Sequence, residues 1–275
     1  MKIAFHGQRG SYAEAAAARM FADRDIATVP TATAAGVLEA VLTRQVQLGV
    51  LRYEMTEWDT SFEVLDLLRD KPLYINREVR FHERYNLAAL PGVKRGDIRR
   101  VIAHPTLLHL CSQYLGRLRG IDVIARFDIA EALKRIEAGE AGVCGEFASS
   151  VYGLHVLDSG IENNELGVTR FVALGPELLS PPGEGVSTSL MFELSHEPGA
   201  LMDALAAFRK FRINLNMVSA RPNRPDRREY TVYVEFGGRS DDAENAAALK
   251  ELAEHCRHLQ VLGSYSIGES RDRAD

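Results

Sequence analysis

Cysteine is scarce in this 275-residue chain: Cys111, Cys144 and Cys256 are an odd, widely scattered set without metal-ligand spacing. That pattern excludes a disulfide framework and a structural zinc site, and it fits a reducing, cytoplasmic setting in which the thiols are small packing groups. No apolar run reaches membrane-spanning length, and Met1-Lys2-Ile3-Ala4-Phe5-His6-Gly7 leads into a short strand and turn with no signal-peptide pattern. Positive charge is not in excess either. The 33 Lys and Arg against 38 Asp and Glu give a net charge of -5, which argues against nucleic acid or an anionic membrane as the main partner. The eight histidines show no metal-like spacing. Gly7-Gln8-Arg9-Gly10 lacks both the Gly-Lys-Ser/Thr ending of a phosphate loop and the triple-glycine dinucleotide spacing, so no nucleotide, metal or other cofactor is expected.

What is present is the material of a globular protein. At 46% hydrophobic and 26% charged residues, the chain suits two or three compact units. Strand and helix patterns alternate from the N-terminus: Ile3–Phe5 as a buried strand, a turn at Gly7–Ser11, and a helix capped by Ser11 with Glu14 completing a capping box. A helix over Ala34–Leu42, a strand over Leu48–Leu51 and a helix over Ser61–Leu68 follow. A second α/β group begins near Ile75, with a helix over Thr106–Leu118 and another over Ile129–Glu137. The alternation predicts mainly parallel sheets in two lobes with a cleft between them, with the turns at Gly7–Ser11, Tyr53–Thr56 and His104–Thr106 facing it. Lobe one is expected over about 1–76 and 160–178, and lobe two over about 77–159.

Pro and Gly crowd Pro176–Gly185, which reads as a linker over 179–186. Beyond it the pattern is strand, helix, two strands, helix, strand, a ferredoxin-like βαββαβ unit over 187–268, then a charged tail from Glu269.

Several segments are similar, in order, to those of the prephenate dehydratase family. Gly7 to Glu14 resembles its opening turn. Gly49 to Leu68 aligns on the stretch built around Pro-Ile-Glu-Asn-Ser, and His104-Pro105 with Cys111 on its His-Pro segment. Thr169-Arg170-Phe171 is similar to its signature, and Gly199-Ala200-Leu201 with Arg221-Pro222 to the phenylalanine-binding segments of its ACT domain. The resemblance implies a two-lobed catalytic domain like that of periplasmic binding proteins plus an ACT domain. It further implies conversion of prephenate to phenylpyruvate, L-phenylalanine as effector, and a homodimer or homotetramer.

It also implies site roles. Thr169, Arg170 and Glu54 are the catalytic candidates, with Arg170 as a carboxylate anchor, since a guanidinium grips a carboxylate through paired hydrogen bonds. A threonine hydroxyl is too weak an acid to protonate a leaving group alone, so Thr169 reads as a hydrogen-bond donor. Glu54 is either an acid raised by burial or a carboxylate capping a nearby helix or pairing with Arg52. Gly10, Ser11, Tyr12, Thr56, His104 and Phe171 are the substrate-binding candidates. Gly199, Ala200, Leu201, Asn214, Ser219, Arg221 and Pro222 are the effector candidates.

The chain departs from the family in three places: Arg52-Tyr53-Glu54-Met55-Thr56 replaces Pro-Ile-Glu-Asn-Ser, Gly167 replaces an asparagine, and Ser219-Ala220 replaces Glu-Ser. Two other readings therefore stand beside the dehydratase: a non-catalytic sensor of aromatic ligands, and a lyase that decarboxylates prephenate without aromatising it.

Overall fold

The computed structural model describes residues 1–55, 59–60, 62–69, 71–163, 168–179, 181, 185–222 and 229–268. The first unit runs through β1 (Lys2–His6), α1 (Tyr12–Met20), β2 (Ala27–Thr31), α2 (Ala34–Leu42), β3 (Leu48–Met55), the two-residue β4 (Asp59–Thr60), α3 (Phe62–Leu68) and β5 (Tyr74–His82). The second holds β6 (Tyr85–Ala89), β7 (Arg100–Ala103), α4 (Pro105–Leu110), α5 (Ser112–Leu115), β8 (Asp122–Ala125), α6 (Ile129–Lys134), β9 (Glu140–Gly145), α7 (Glu146–Val151) and β10 (His155–Ser159). The chain then returns through β11 (Val168–Gly175) and closes with β12 (Val186–Ser195), α8 (Ala200–Lys210), β13 (Leu215–Pro222), β14 (Glu229–Gly237), α9 (Ala243–Leu252) and β15 (His258–Gly268).

In the first sheet β1 lies parallel between β2 and β3, and β11 slots antiparallel between β3 and β5. Apolar positions alternate along β11, so one face packs Phe171 and Ala173 with Ile3, Phe5 and the alanines of α1, and the other packs Val172 and Leu174 with α2 and α3. The second sheet has the order β10-β6-β9-β7-β8, with parallel pairs at β7 and antiparallel pairs at β6. Two α/β lobes plus a βαββαβ unit is the expected fold class, but the sheets are mixed and not mainly parallel, because β11 returns antiparallel between β3 and β5 and β6 pairs antiparallel with β9 and β10.

Three boundaries differ from expectation. The crossover to lobe two falls after His82, not near 77, because β5 pairs with β11 along its whole length. The return falls beyond 159, since the Asn163 side chain still binds the His109 carbonyl and Ser112 of lobe two. The helix expected over Thr106–Leu118 breaks at Cys111 (φ -110°, ψ 17°), whose side chain is buried in the core of lobe two.

The ferredoxin-like unit is joined to lobe one by more than a linker. β15 pairs in parallel with β5, Ser266 opposite Arg77, so the two units share one ten-stranded sheet. Met191, Tyr233, Leu262 and Tyr265 pack in the same apolar cluster as Tyr53, Leu65, Leu68 and Ile75.

Candidate active site

A cavity of about 460 Å³ lies between the lobes. Lobe one contributes the turn from His6 to Ala13, with Arg52 and Phe171; lobe two contributes Tyr85, His104, Thr106, Phe127, Cys144 and Tyr152. The turn is built by local hydrogen bonds. Ser11 Oγ accepts the Glu14 N–H at 3.4 Å and caps α1. Glu14 does not complete the expected capping box: its carboxylate reaches one residue further back, accepting the Gly10 N–H at 2.7 Å and the Thr28 hydroxyl at 2.7 Å. The Ser11 N–H instead donates to the Gln8 carbonyl.

The lobes touch across this turn. Gly10 has φ 79°, and a Cβ there would lie 3.0 Å from the Tyr152 ring and 3.2 Å from Ala148 Cα, so only glycine gives both the conformation and the approach. The Tyr152 hydroxyl donates to the Arg9 carbonyl. Tyr12 packs against Gly145, and its hydroxyl donates to the Arg84 carbonyl at 2.5 Å while accepting the Arg84 N–H at 2.8 Å. Burial, with the nearby charge of Glu83, pushes the Tyr12 phenol far above its usual range, so it stays protonated in this bridging role.

The remaining wall residues have defined partners. His104 caps α4, its Nδ1 accepting the Thr106 N–H at 3.2 Å, which leaves the proton of the neutral ring on Nε2. Its ring meets Phe127 edge to face at 6.0 Å. Arg52 is half-exposed, bonds Glu83 at 3.2 Å and lies 5.7 Å over the Phe171 ring. Glu83 is buried and also accepts from the Tyr85 hydroxyl. Burial pushes the Cys144 thiol up to about 12, so it is a neutral wall group and not a nucleophile.

The Thr169-Arg170-Phe171 triplet is divided between the two faces of its strand. Thr169 stands opposite Phe81 and Phe171 opposite Val79, on the α1 face. Arg170 projects to the other side. Opposite them β3 is bulged: Arg170 pairs with Glu54 and Phe171 with Arg52, leaving Tyr53 as the extra residue. Among the three, Phe171 lines the cavity.

Arg170 is 9% exposed and its guanidinium is taken up by protein carboxylates. Nε and Nη2 grip Glu78 at 3.0 and 2.5 Å, Nη1 meets Glu54 at 2.7 Å, and Nη2 lies 3.0 Å from Glu235. Burial works to lower its pKa, but the Glu78 hydrogen bonds and the Glu235 charge outweigh it, so the pKa is raised and the group is a fixed cation. This corrects two expectations: Arg170 does not offer its fork to the cavity, and Glu54 pairs with Arg170 instead of Arg52. Thr169 is buried, on the same face of β11 as Phe171. Thr56, with Trp58 and Gly167, lies outside the described residues.

The effector candidates spread over three places. Gly199, at φ 88°, opens α8 ahead of Ala200 and Leu201. Asn214 is exposed just before β13. Ser219, Arg221 and Pro222 lie on β13, where Arg221 reaches Asp66 of α3 at 3.8 Å. Glu78, Glu83 and Glu235 were not anticipated. Each is a carboxylate within an apolar strand or beside one, a signal that a partner exists, but nothing in sequence order says that Glu235 and Arg170 meet. Among the described residues no group of three or more His, Cys, Asp or Glu is placed to hold a metal ion, and no helix is long and apolar enough to cross a membrane.

A part-open cavity between two α/β lobes, with a βαββαβ unit fused to the first, defines a two-lobed small-molecule-binding protein with an attached ACT-type domain. The family follows from comparison: a sequence model described as prephenate dehydratase matches residues 3–178, and the chain belongs to that family, among the lyases. A relative from Arabidopsis thaliana, arogenate dehydratase/prephenate dehydratase 2, is 34% identical over 97% of this chain and 73% of its own length. The solved prephenate dehydratase of Arthrobacter aurescens in complex with L-Phe has a TM-score of 0.85 at 26% identity, covering 97% of this chain and 90% of that one. A structure described as GqqA, a novel type of quorum quenching acylase, has a TM-score of 0.86 at 26% identity, covering 98% of each chain.

Proposed function

We propose that this protein converts prephenate to phenylpyruvate, with loss of carbon dioxide and water, and that L-phenylalanine binding at its C-terminal unit controls it. The observation that carries the reading is convergence: Gly10, Ser11, Tyr12, His104 and Phe171, from three distant segments, line one cavity. Prephenate is a dianion with a ring hydroxyl. Cleavage of the bond to its ring carboxylate releases carbon dioxide, the electron pair moves into the ring, and the hydroxyl leaves as water once protonated. Aromatisation drives the step, so the protein must mainly orient the dianion and supply a donor to the departing oxygen.

The cationic groups on the cavity wall are Arg9 and Arg52, and these, with the N-terminal turn of α1, take the anchoring role first read into Arg170. Thr169 keeps the role of hydrogen-bond donor, on the same face of β11 as Phe171. An ultraviolet assay for phenylpyruvate tests this. Arg52→Gln should raise KM about tenfold to a hundredfold, the loss of one charge-assisted pair, and Thr169→Ala should lower kcat. Wild-type protein that leaves prephenate and arogenate untouched refutes the reading, and a non-aromatic product would point to decarboxylation alone.

L-phenylalanine is assigned to the segment from Gly199 to Leu201 with Asn214, Ser219, Arg221 and Pro222, supported by the bound ligand of the Arthrobacter aurescens relative. With Ser219-Ala220 in place of Glu-Ser, its affinity should be reduced, which calorimetry would measure. The expected assembly is a homodimer or homotetramer, checked by sedimentation.

A further inference from the structure

The cluster around Arg170 is built by six strands of two units. Lobe one supplies Arg170 from β11, Tyr53 and Glu54 from β3, and Glu78 from β5; the ferredoxin-like unit supplies Glu235 from β14, Ser189 from β12 and Tyr265 from β15. Glu235 reaches Arg170 at 3.0 Å, accepts the Ser189 hydroxyl at 3.0 Å and lies 3.4 Å from the Tyr265 hydroxyl. The Arg170 guanidinium lies 5.0 Å over the Tyr53 ring, the residue of the β3 bulge. Arg80 adds a second guanidinium, 2.8 Å from Glu78. Two cations therefore face three carboxylates in a largely buried place. Buried ion pairs of this kind add little net stability and act best by fixing one geometry.

What this geometry fixes is the cavity side of β11 and β3. Arg170 lies between Thr169 and Phe171, so the guanidinium sets the strand that carries both. Its partner Glu54 stands two residues beyond Arg52, across the bulge that turns Arg52 toward Phe171. We propose that Glu235 is a positioning residue for the reaction: acting through Arg170, a carboxylate of the ferredoxin-like unit completes the catalytic lobe. The C-terminal unit is then a working part of the active site's support as well as a place for an effector.

The proposal rests on the reading of the cavity as the site of prephenate turnover. The test compares full-length wild type with Glu235→Gln, Glu235→Asp and Arg170→Lys, using Lys210→Ala on the exposed face of the same unit as control. Glu235→Gln should lower kcat about tenfold or more while KM for prephenate changes less than about twofold. Glu235→Asp should recover part of the loss, and the double variant with Arg170→Lys should be no worse than the poorer single one. Equal kcat in a folded Glu235→Gln protein, or additive losses in the double variant, overturns the proposal. Should Glu235→Gln fail to fold, Tyr265→Phe and Ser189→Ala each remove one hydrogen bond to Glu235 without changing charge, and the same split between kcat and KM decides. Should wild type leave prephenate untouched, the reading of the cavity fails separately. Amide exchange then decides the coupling: faster exchange confined to 168–172 and 52–55 in Glu235→Gln upholds it, and no change there overturns it.

Discussion

Gly263 sits where the two units meet, and Gly263→Ala should pry them apart. An added Cβ would lie 2.2 Å from the Ile75 carbonyl oxygen and 3.0 Å from the Ile75 carbonyl carbon and nitrogen. An unstrained contact needs about 3.5 Å, so the alanine intrudes by roughly an ångström. All three atoms belong to the β5 backbone, so no rotamer change gives way, and β15 must move off β5. Overpacking of this degree costs about 1–3 kcal/mol. In a chain of this size each kcal/mol lowers Tm by about 2–4 °C, so a fall of roughly 2–12 °C is expected. Melting curves for Gly263→Ala should be compared with Gly237→Ala, whose added Cβ meets nothing within 4 Å. The prephenate assay on the same samples should show kcat falling as well, because Tyr265 shifts with the strand and with it the contact that its hydroxyl makes to Glu235. If Gly263→Ala melts within about 1 °C of wild type, the junction is looser than its geometry implies and the reasoning fails.

Two further outcomes are expected. Tyr12→Phe removes the hydroxyl that both donates to and accepts from the Arg84 backbone, and should cost about 1–3 kcal/mol by denaturant unfolding and weaken prephenate binding; unchanged stability would show the bridge to be idle. Burial pushes the Cys111 and Cys144 thiols up to about 12, above their unfolded values near 8.5, so the folded chain holds two protons that the unfolded chain releases. Their stabilising contribution is full below about pH 8.5 and lost as pH rises toward 12, and a thiol reagent at pH 8 should label Cys256 well ahead of both; equal labelling rates in folded protein would contradict it.

The order of elements was legible because each carries its own period and punctuation: the alternation of Ser187–Leu194, the Pro and Gly crowding after Pro176, the cap at Ser11. The turn at Gly7–Ser11 and the His104–Pro105 segment were readable as cavity walls because a strand end followed by a helix start is where such folds bind ligands. Arg170 was read toward the substrate because its chemistry suits a carboxylate, and it does hold carboxylates, those of Glu54, Glu78 and Glu235. Which carboxylates a guanidinium meets depends on the face of β11 and on a partner 65 residues away, and period-2 alternation gives the face only once the register is known. The fusion of the two sheets was hidden for the same reason: β5 and β15 each read as an ordinary strand.

That fusion has a consequence for how the chain reaches its native state. Ser266 pairs with Arg77, 189 positions earlier, and closing such a long loop is slow compared with forming local hairpins and helices. Until β15 arrives, the edge of β5 stands open, with Glu78 and Arg170 lacking the cover of Tyr265 and Glu235. A chain stopped before His258 should therefore be prone to aggregation instead of yielding a free-standing catalytic half. The order of synthesis and the order of assembly are tied, with lobe one finished only once the much later β15 has been made.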